Sequence, residues 1–212
     1  EISVYLETTQ PIECDKPVIY FYPPVTTAVS VALNIKGKAS FTYPPYHHSN
    51  GSDSAKDGWN FVADPDGTLH MNNKEYNYLF WDSHTVLDEK ELNFDKGFIV
   101  ESTKLVLFFE EKLSEMGFTS IEQADFITYW CPRMLENQRN FIYFIFNDAC
   151  NAYADLEITP KPDNMLRVYM LWQDAGVKTV EPEAQILTAL KRGGFTVLEW
   201  GGIEMDPSPE IK

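Results

Sequence analysis

The chain reads as a β-rich α+β domain: a mostly antiparallel, sandwich-like sheet with a two-helix insertion, at about residues 102–136, packed on one face. Three observations predict it. Apolar residues alternate with period two through the first third, a helical stripe with caps occupies the middle, and strand-like aromatic runs resume after it. With 212 residues, 44% of them apolar and 14% aromatic, there is ample material for one core, and no linker divides 1–212 into two domains.

The first strand is KPVIYFYPP, residues 16–24, bounded by prolines that suit strand starts and edges. Tyr20 and Tyr22 share one face and Ile19 and Phe21 the other. The apolar pair suits a core, so the tyrosines are expected on a partly open surface. Val29, Val31, Leu33 and Ile35 then alternate with smaller or polar neighbours, Gly37 punctuates, and ASFTYPP returns as a hairpin. Residues 46–58 have the composition of a surface loop. WNFVAD and TLHM flank the turn Asp64-Pro65-Asp66-Gly67, and EYNYLFWD reads as one further strand.

Ser102 or Thr103 can cap a helix that runs to Met116 and ends at Gly117, with Leu105, Phe108, Phe109 and Leu113 as its apolar stripe. Thr119 and Glu122 form a capping box for a second helix, which Pro132 kinks or ends. NFIYFIFN, YADLEITP, MLRVYMLW and GFTVLEW follow as strands. Residues 182–192 have an N1 proline and helical spacing but lie among loop signals, so helix and loop both remain open. The count is about seven to nine strands, and because helices do not alternate with them, parallel winding is not expected.

Thirty-two acidic against seventeen basic residues give a net charge of −15, which repels phosphate backbones and anionic membranes. Nucleic acid is therefore not an expected partner. No apolar run approaches the ~20 residues of a membrane span, so no membrane partner is expected either. The chain begins at Glu1 with no apolar leader, which fits a processed protein as well as a trimmed one and leaves the compartment open. Cys14, Cys131 and Cys150 allow one disulfide at most, and buried thiols are the ordinary alternative. Asn50-Gly51-Ser52 is one glycosylation sequon in the polar loop.

The familiar signatures of serine hydrolases, zincins, nucleotide hydrolases and dinucleotide enzymes are missing from the sequence. Asp82 and His84, two apart on a strand, project to one face and with Glu199 form a candidate divalent-metal site, although two such donors also fit an ordinary turn. Tyr20, Tyr22, Trp81, Tyr129, Trp130 and Trp200 lie in runs that mix rings with polar groups such as Arg133. Together with Arg133 they are the candidate walls of a ligand pocket, since Tyr and Trp offer flat apolar surface and one polar handle. Core packing is the other reading of each ring. In EWGG, residues 199–202, two glycines permit a sharp turn or close backbone approach beside a carboxylate and an indole.

KPVIYFYP, YLFWD, FITYWCPR, ITPKPDNMLRVYM and GFTVLEWGG, spread over about residues 16–202, together resemble a bacterial and fungal family of largely uncharacterised proteins. In that family a near KPVIYLYP opens the domain and EWGG closes it. The chain departs from the pattern in the loop from His47 to Asp57 and in Cys131. Within the fungal branch, its size and aromatic richness are similar to those of a pigment-binding chromoprotein. The resemblance implies a topology and a small aromatic, indole-type chromophore as ligand, and no site residue is carried over from it. The leading expectation is a non-catalytic binder of such a chromophore, with a metal ion assisting. The alternatives are a secreted carbohydrate-active hydrolase using Asp82 and Glu199, and a structural interaction module whose rings are all core.

Overall fold

The computed structural model describes residues 12–48, 57–85, 95–176 and 180–205, with side chains from Lys16 in the first strand and as far as Ser83 in the seventh. Twelve strands and two α-helices run in the order β1 (Ile12–Tyr22), β2 (Thr27–Ile35), β3 (Lys38–Tyr43), β4 (Trp59–Ala63), β5 (Leu69–Met71), β6 (Lys74–Tyr76), β7 (Leu79–Thr85) and β8 (Phe98–Glu101). There follow α1 (Leu105–Glu115), α2 (Ser120–Met134), β9 (Arg139–Phe146), β10 (Ala154–Thr159), β11 (Asn164–Asp174) and β12 (Thr196–Glu204). Ser102–Lys104 and Asn147–Ala152 are short 3-10 turns.

The strands form a seven-stranded sheet, β3-β7-β1-β12-β11-β9-β8, and a five-stranded sheet, β10-β2-β4-β5-β6. Every pairing is antiparallel except β11 with β12. The larger sheet is covered on both faces. Its residues Ile19, Phe21, Tyr169 and Val197 pack against Val29, Trp59, Phe61 and Leu69 of the smaller sheet. The alternate residues Tyr20, Val168, Leu198 and Trp200 pack against Phe109, Phe126 and Trp130 of the helices. This burial on both sides explains why β11 and β12 are almost continuously apolar rather than alternating. The helices therefore lie on one face of the larger sheet, as the element order predicts.

Local signals account for most boundaries. The Thr119 hydroxyl accepts from the Glu122 N–H at 3.4 Å, and the Glu122 carboxylate accepts from the Thr119 N–H at 2.6 Å, completing the capping box. Pro132 sits in the last turn of α2, and the helix ends two residues later at Met134.

Four expectations change, and the segment left open between helix and loop resolves. ASFTYPP does not return on β2 as a hairpin: β3 pairs with β7 in the larger sheet, and β2 with β4 and β10 in the smaller. EYNYLFWD is split into β6 and β7, with Asn77 and Tyr78 between them. Phe98–Glu101 forms an additional short strand. β11 and β12 pair in parallel at the centre of the larger sheet. Residues 182–192 are not helical, and Gln185 shows why. Its amide accepts from the Phe144 N–H at 2.8 Å and donates to the Phe144 carbonyl at 3.0 Å, capping β9 beyond the end of β8. That pairing holds the segment extended against the sheet edge. Of the polar loop expected over 46–58, residues 49–56, with the Asn50 sequon, lie outside the described residues.

Candidate functional site

The sequence-predicted residues divide between the two faces of the larger sheet. Trp81 faces the smaller sheet and donates its indole N–H to Glu199 Oε1 at 3.1 Å. Tyr169 donates to the same oxygen at 2.8 Å, and Arg167 Nε pairs with Oε2. Arg167 also donates to Asn151 Oδ1 at 2.6 Å and to the Ala154 carbonyl at 3.0 Å. Arg167 is 2% exposed and Glu199 0%. A carboxylate with this many donors, closed off from solvent, is a paired core charge rather than a ligand for an incoming ion.

Asp82 follows Trp81 in β7 and so points to the opposite face, the side on which Phe80 packs toward the helices. The expected metal triad of Asp82, His84 and Glu199 is therefore corrected, because its first and last members lie across the sheet from each other. The His84 backbone pairs with Lys38, and its side chain lies outside the described ones. The same separation removes Asp82 and Glu199 as a pair of facing hydrolytic carboxylates. Among the described residues no group of three His, Cys, Asp or Glu side chains gathers to hold a metal ion.

Tyr20, Tyr22, Tyr129, Trp130, Arg133 and Trp200 do converge, on the helix side, without Trp81. Tyr20, expected on an open surface, is instead 3% exposed and donates its hydroxyl to Asp125 Oδ2 at 2.8 Å. Burial, with the Asp125 carboxylate, pushes its ionisation well above the ordinary tyrosine value. Tyr22 is half-buried, and burial and Glu122 raise its ionisation too, against Arg192. Trp130 and Trp200 are 0% exposed, and Phe126 packs edge-on against Trp200 at 5.1 Å. Gly202 lies beneath Trp130, and a Cβ there would stand 2.5 Å from Cζ2. The two glycines of EWGG are thus explained by packing, Gly202 under the indole and Gly201 against Pro17 at 3.2 Å.

At the rim of this layer the rings meet cations. Arg133 stands 3.6 Å above the Tyr129 ring and Lys16 Nζ 4.4 Å from it, with Lys16 5.7 Å from the Trp200 ring. Lys16 has φ 51°, a left-handed conformation unusual for a side-chain-bearing residue, where the pairing of β1 shifts register on both sides. Burial lowers the Lys16 pKa, with Asp125 opposing the shift and Arg133 adding to it.

A ligand-sized concavity with a mostly apolar lining lies elsewhere, in the corner where the chain passes from β2 in the smaller sheet to β3 in the larger. This cleft of about 540 Å³ is lined by Leu33, Ile35, Ala39, Phe41, Tyr46 and His48, among others. Its floor is fixed. The Tyr46 hydroxyl accepts from the Leu33 N–H at 3.1 Å, its ring packs edge-on against Trp59 at 4.9 Å, and Trp59 donates to the Pro44 carbonyl at 2.8 Å. His47 and Gly58 exchange backbone hydrogen bonds, and Gly58, at φ 131°, sits where a Cβ would lie 2.3 Å from the Val31 carbonyl oxygen. Phe41, 58% exposed, stands at the lip. None of these residues was a sequence candidate. The available signal was the alternation of Phe41 and Tyr43 in a strand with nothing apolar between them, which leaves large rings facing out.

No family model matches the chain. A stretch of 68 residues, 32% of the chain, is 35% identical to an uncharacterised protein in the bglA 3′ region of Butyrivibrio fibrisolvens. The match spans 64% of that protein's length. No solved structure matches the chain.

Proposed function

We propose that the protein is a non-catalytic binder of a flat aromatic molecule of the indole-chromophore type, held in the β2–β3 cleft. The observation that carries this reading is the cleft itself. Its volume of about 540 Å³ lies in the range of small-molecule sites, and apolar walls with a few polar groups, here Thr42, Tyr46 and His48, are the usual lining of such sites. Tyr46 and His48, with ring centroids 5.0 Å apart, supply aromatic surface and a polar edge, while Phe41, whose ring tilts against Phe80 at 5.9 Å, borders the cleft. The reading gives no part to a metal held by Asp82, His84 and Glu199. The buried rings around Trp130 and Trp200 become the rigid support of the larger sheet instead of the pocket wall.

Titration with anilinonaphthalene sulfonate, an aromatic probe whose fluorescence rises on binding, tests the site. Saturation at one equivalent is expected, with Phe41→Ala weakening it about fivefold through the loss of apolar surface bordering the cleft. Protein from its native source is expected to absorb beyond the aromatic band at 1:1 stoichiometry with ligand. A Phe41→Asp variant that binds the probe as the parent does would overturn the assignment.

A further inference from the structure

We propose that Lys16 is a reactive amine that captures aromatic aldehydes bearing an anionic group, forming an imine at the rim between β1 and α2. This goes beyond cleft binding and does not depend on it. The ammonium of an ordinary surface lysine is fully hydrated, whereas Lys16 is half-buried, its Nζ 4.4 Å from the Tyr129 ring and 5.7 Å from the Trp200 ring, and the lost hydration outweighs the attraction of those ring faces for its charge. A second cation, Arg133, stands on that same Tyr129 ring at 3.6 Å. Partial desolvation together with a neighbouring cation is the arrangement that favours a neutral, nucleophilic lysine. The charged and titratable groups set against it from α2 are Asp125, Tyr129 and Arg133, and burial with Arg133 outweighs Asp125 in lowering its pKa.

Backbone geometry supports a site rather than a chance side chain. Lys16 holds a left-handed φ of 51° at the bulge of β1, followed by Pro17, whose Cα would be 3.2 Å from a Cβ on Gly201. Non-glycine residues in that conformation gather at functional positions, where the surrounding packing enforces them. The aldehyde has matching partners. Tyr129 is half-buried and lends an apolar wall beside the amine, and Arg133, exposed at the mouth, can pair with an anion.

The chemistry balances without an oxidant. The Nζ lone pair attacks the carbonyl carbon, the C=O π pair moves to oxygen, and a proton shift gives a neutral carbinolamine. The nitrogen lone pair then forms C=N as the hydroxyl leaves with a proton as water, and nitrogen releases its remaining proton. Amine and aldehyde give imine and water.

Pyridoxal phosphate, an aromatic aldehyde with an anionic group, is the probe. It is added to the full chain below one equivalent near neutral pH, trapped with borohydride and located by peptide mass spectrometry. Most of the adduct is expected on Lys16, with Arg133→Gln spreading it over other lysines. Trace acetylation across a pH series is expected to show Lys16 titrating below the exposed lysines, each unit of difference raising its free-amine fraction at neutral pH about tenfold. Labelling of Lys16 no faster than that of exposed lysines in the unmutated protein, or its protection from both reagents, would overturn the proposal. Lys16→Arg with an unchanged circular dichroism spectrum is the control that should lose the preferred adduct.

Discussion

Arg167 and Glu199 are register partners on the parallel strands β11 and β12, and their ion pair is sealed between the two sheets. Removing one member leaves the other charged and buried without its counter-ion, which costs about 3–5 kcal/mol. Glu199→Gln is therefore expected to lower the urea midpoint sharply. Replacing both by leucine should recover much of that loss, because an apolar pair of similar volume often serves as well. Equal destabilisation in the single and double variants would show that the pair is not what holds this part of the core.

Gly202→Ala is expected to destabilise the protein by roughly 1–3 kcal/mol through overpacking. The new methyl would meet Trp130 at 2.5 Å and the Met170 carbonyl oxygen at 2.9 Å, and the latter is backbone that cannot turn aside. Chemical denaturation with tryptophan fluorescence reads both the loss of stability and the displaced indole.

Tyr20, Tyr22 and Tyr78 all ionise above the ordinary tyrosine value of 10.0, chiefly through burial. A folded-state pKa raised above the unfolded one contributes stability that is complete below pH 10.0 and is lost as pH rises beyond it. Tyrosinate absorbance from these three should therefore appear only together with alkaline unfolding. A single smooth titration of every tyrosine with the fold intact would contradict the buried placement.

Cys131 and Cys150 are free and buried. Burial raises the Cys131 thiol to about 11, and Cys150 is pushed up as well by burial and Glu199. Since the thiolate is the reacting form, both should resist Ellman's reagent until the protein unfolds. Peptide mapping after brief exposure of native protein checks this.

Phe21→Ala and Phe41→Ala should separate core from cleft. Phe21 is 0% exposed and stacks edge-on with Phe61 at 5.0 Å, so its loss should cost ~3 kcal/mol or more. Phe41 is 58% exposed, and its replacement should leave the melting temperature nearly unchanged while weakening the aromatic probe.

The residues whose partners are near in sequence were the legible ones. Val29 and Val31 are buried as their alternation indicates, and Thr119 and Glu122 cap α2 across three residues. Alternation also separated Tyr20 from Phe21, but which face would be open was not legible, because both are covered, one by helices and the other by a second sheet. Glu199 looked like a ligand because Arg167 lies 32 residues away and becomes its neighbour only through a parallel register. EWGG had the appearance of a site because the indole that fills the space over Gly202 comes from α2. The cleft was hidden for a similar reason: β2 and β3 read as a simple hairpin, but they do not pair with each other, because long-range pairing with β4 and β7 draws them into different sheets.

The position of β12 bears on how the protein is made. This late strand lies between β1, from the opposite end of the described chain, and β11. During synthesis β1 can pair with β7, and β11 with β9, but the two halves of the larger sheet share no direct pairing until β12 emerges. Until then both halves present the open sides of central strands, with Tyr169, Met170 and Leu171 on β11 and Ile19, Tyr20 and Phe21 on β1. Such edges template pairing with other chains. Between the completion of β11 at Asp174 and the arrival of β12 from Thr196 the nascent chain therefore holds two unjoined halves of the larger sheet, and a chain truncated before Thr196 is expected to aggregate rather than to form a smaller folded domain.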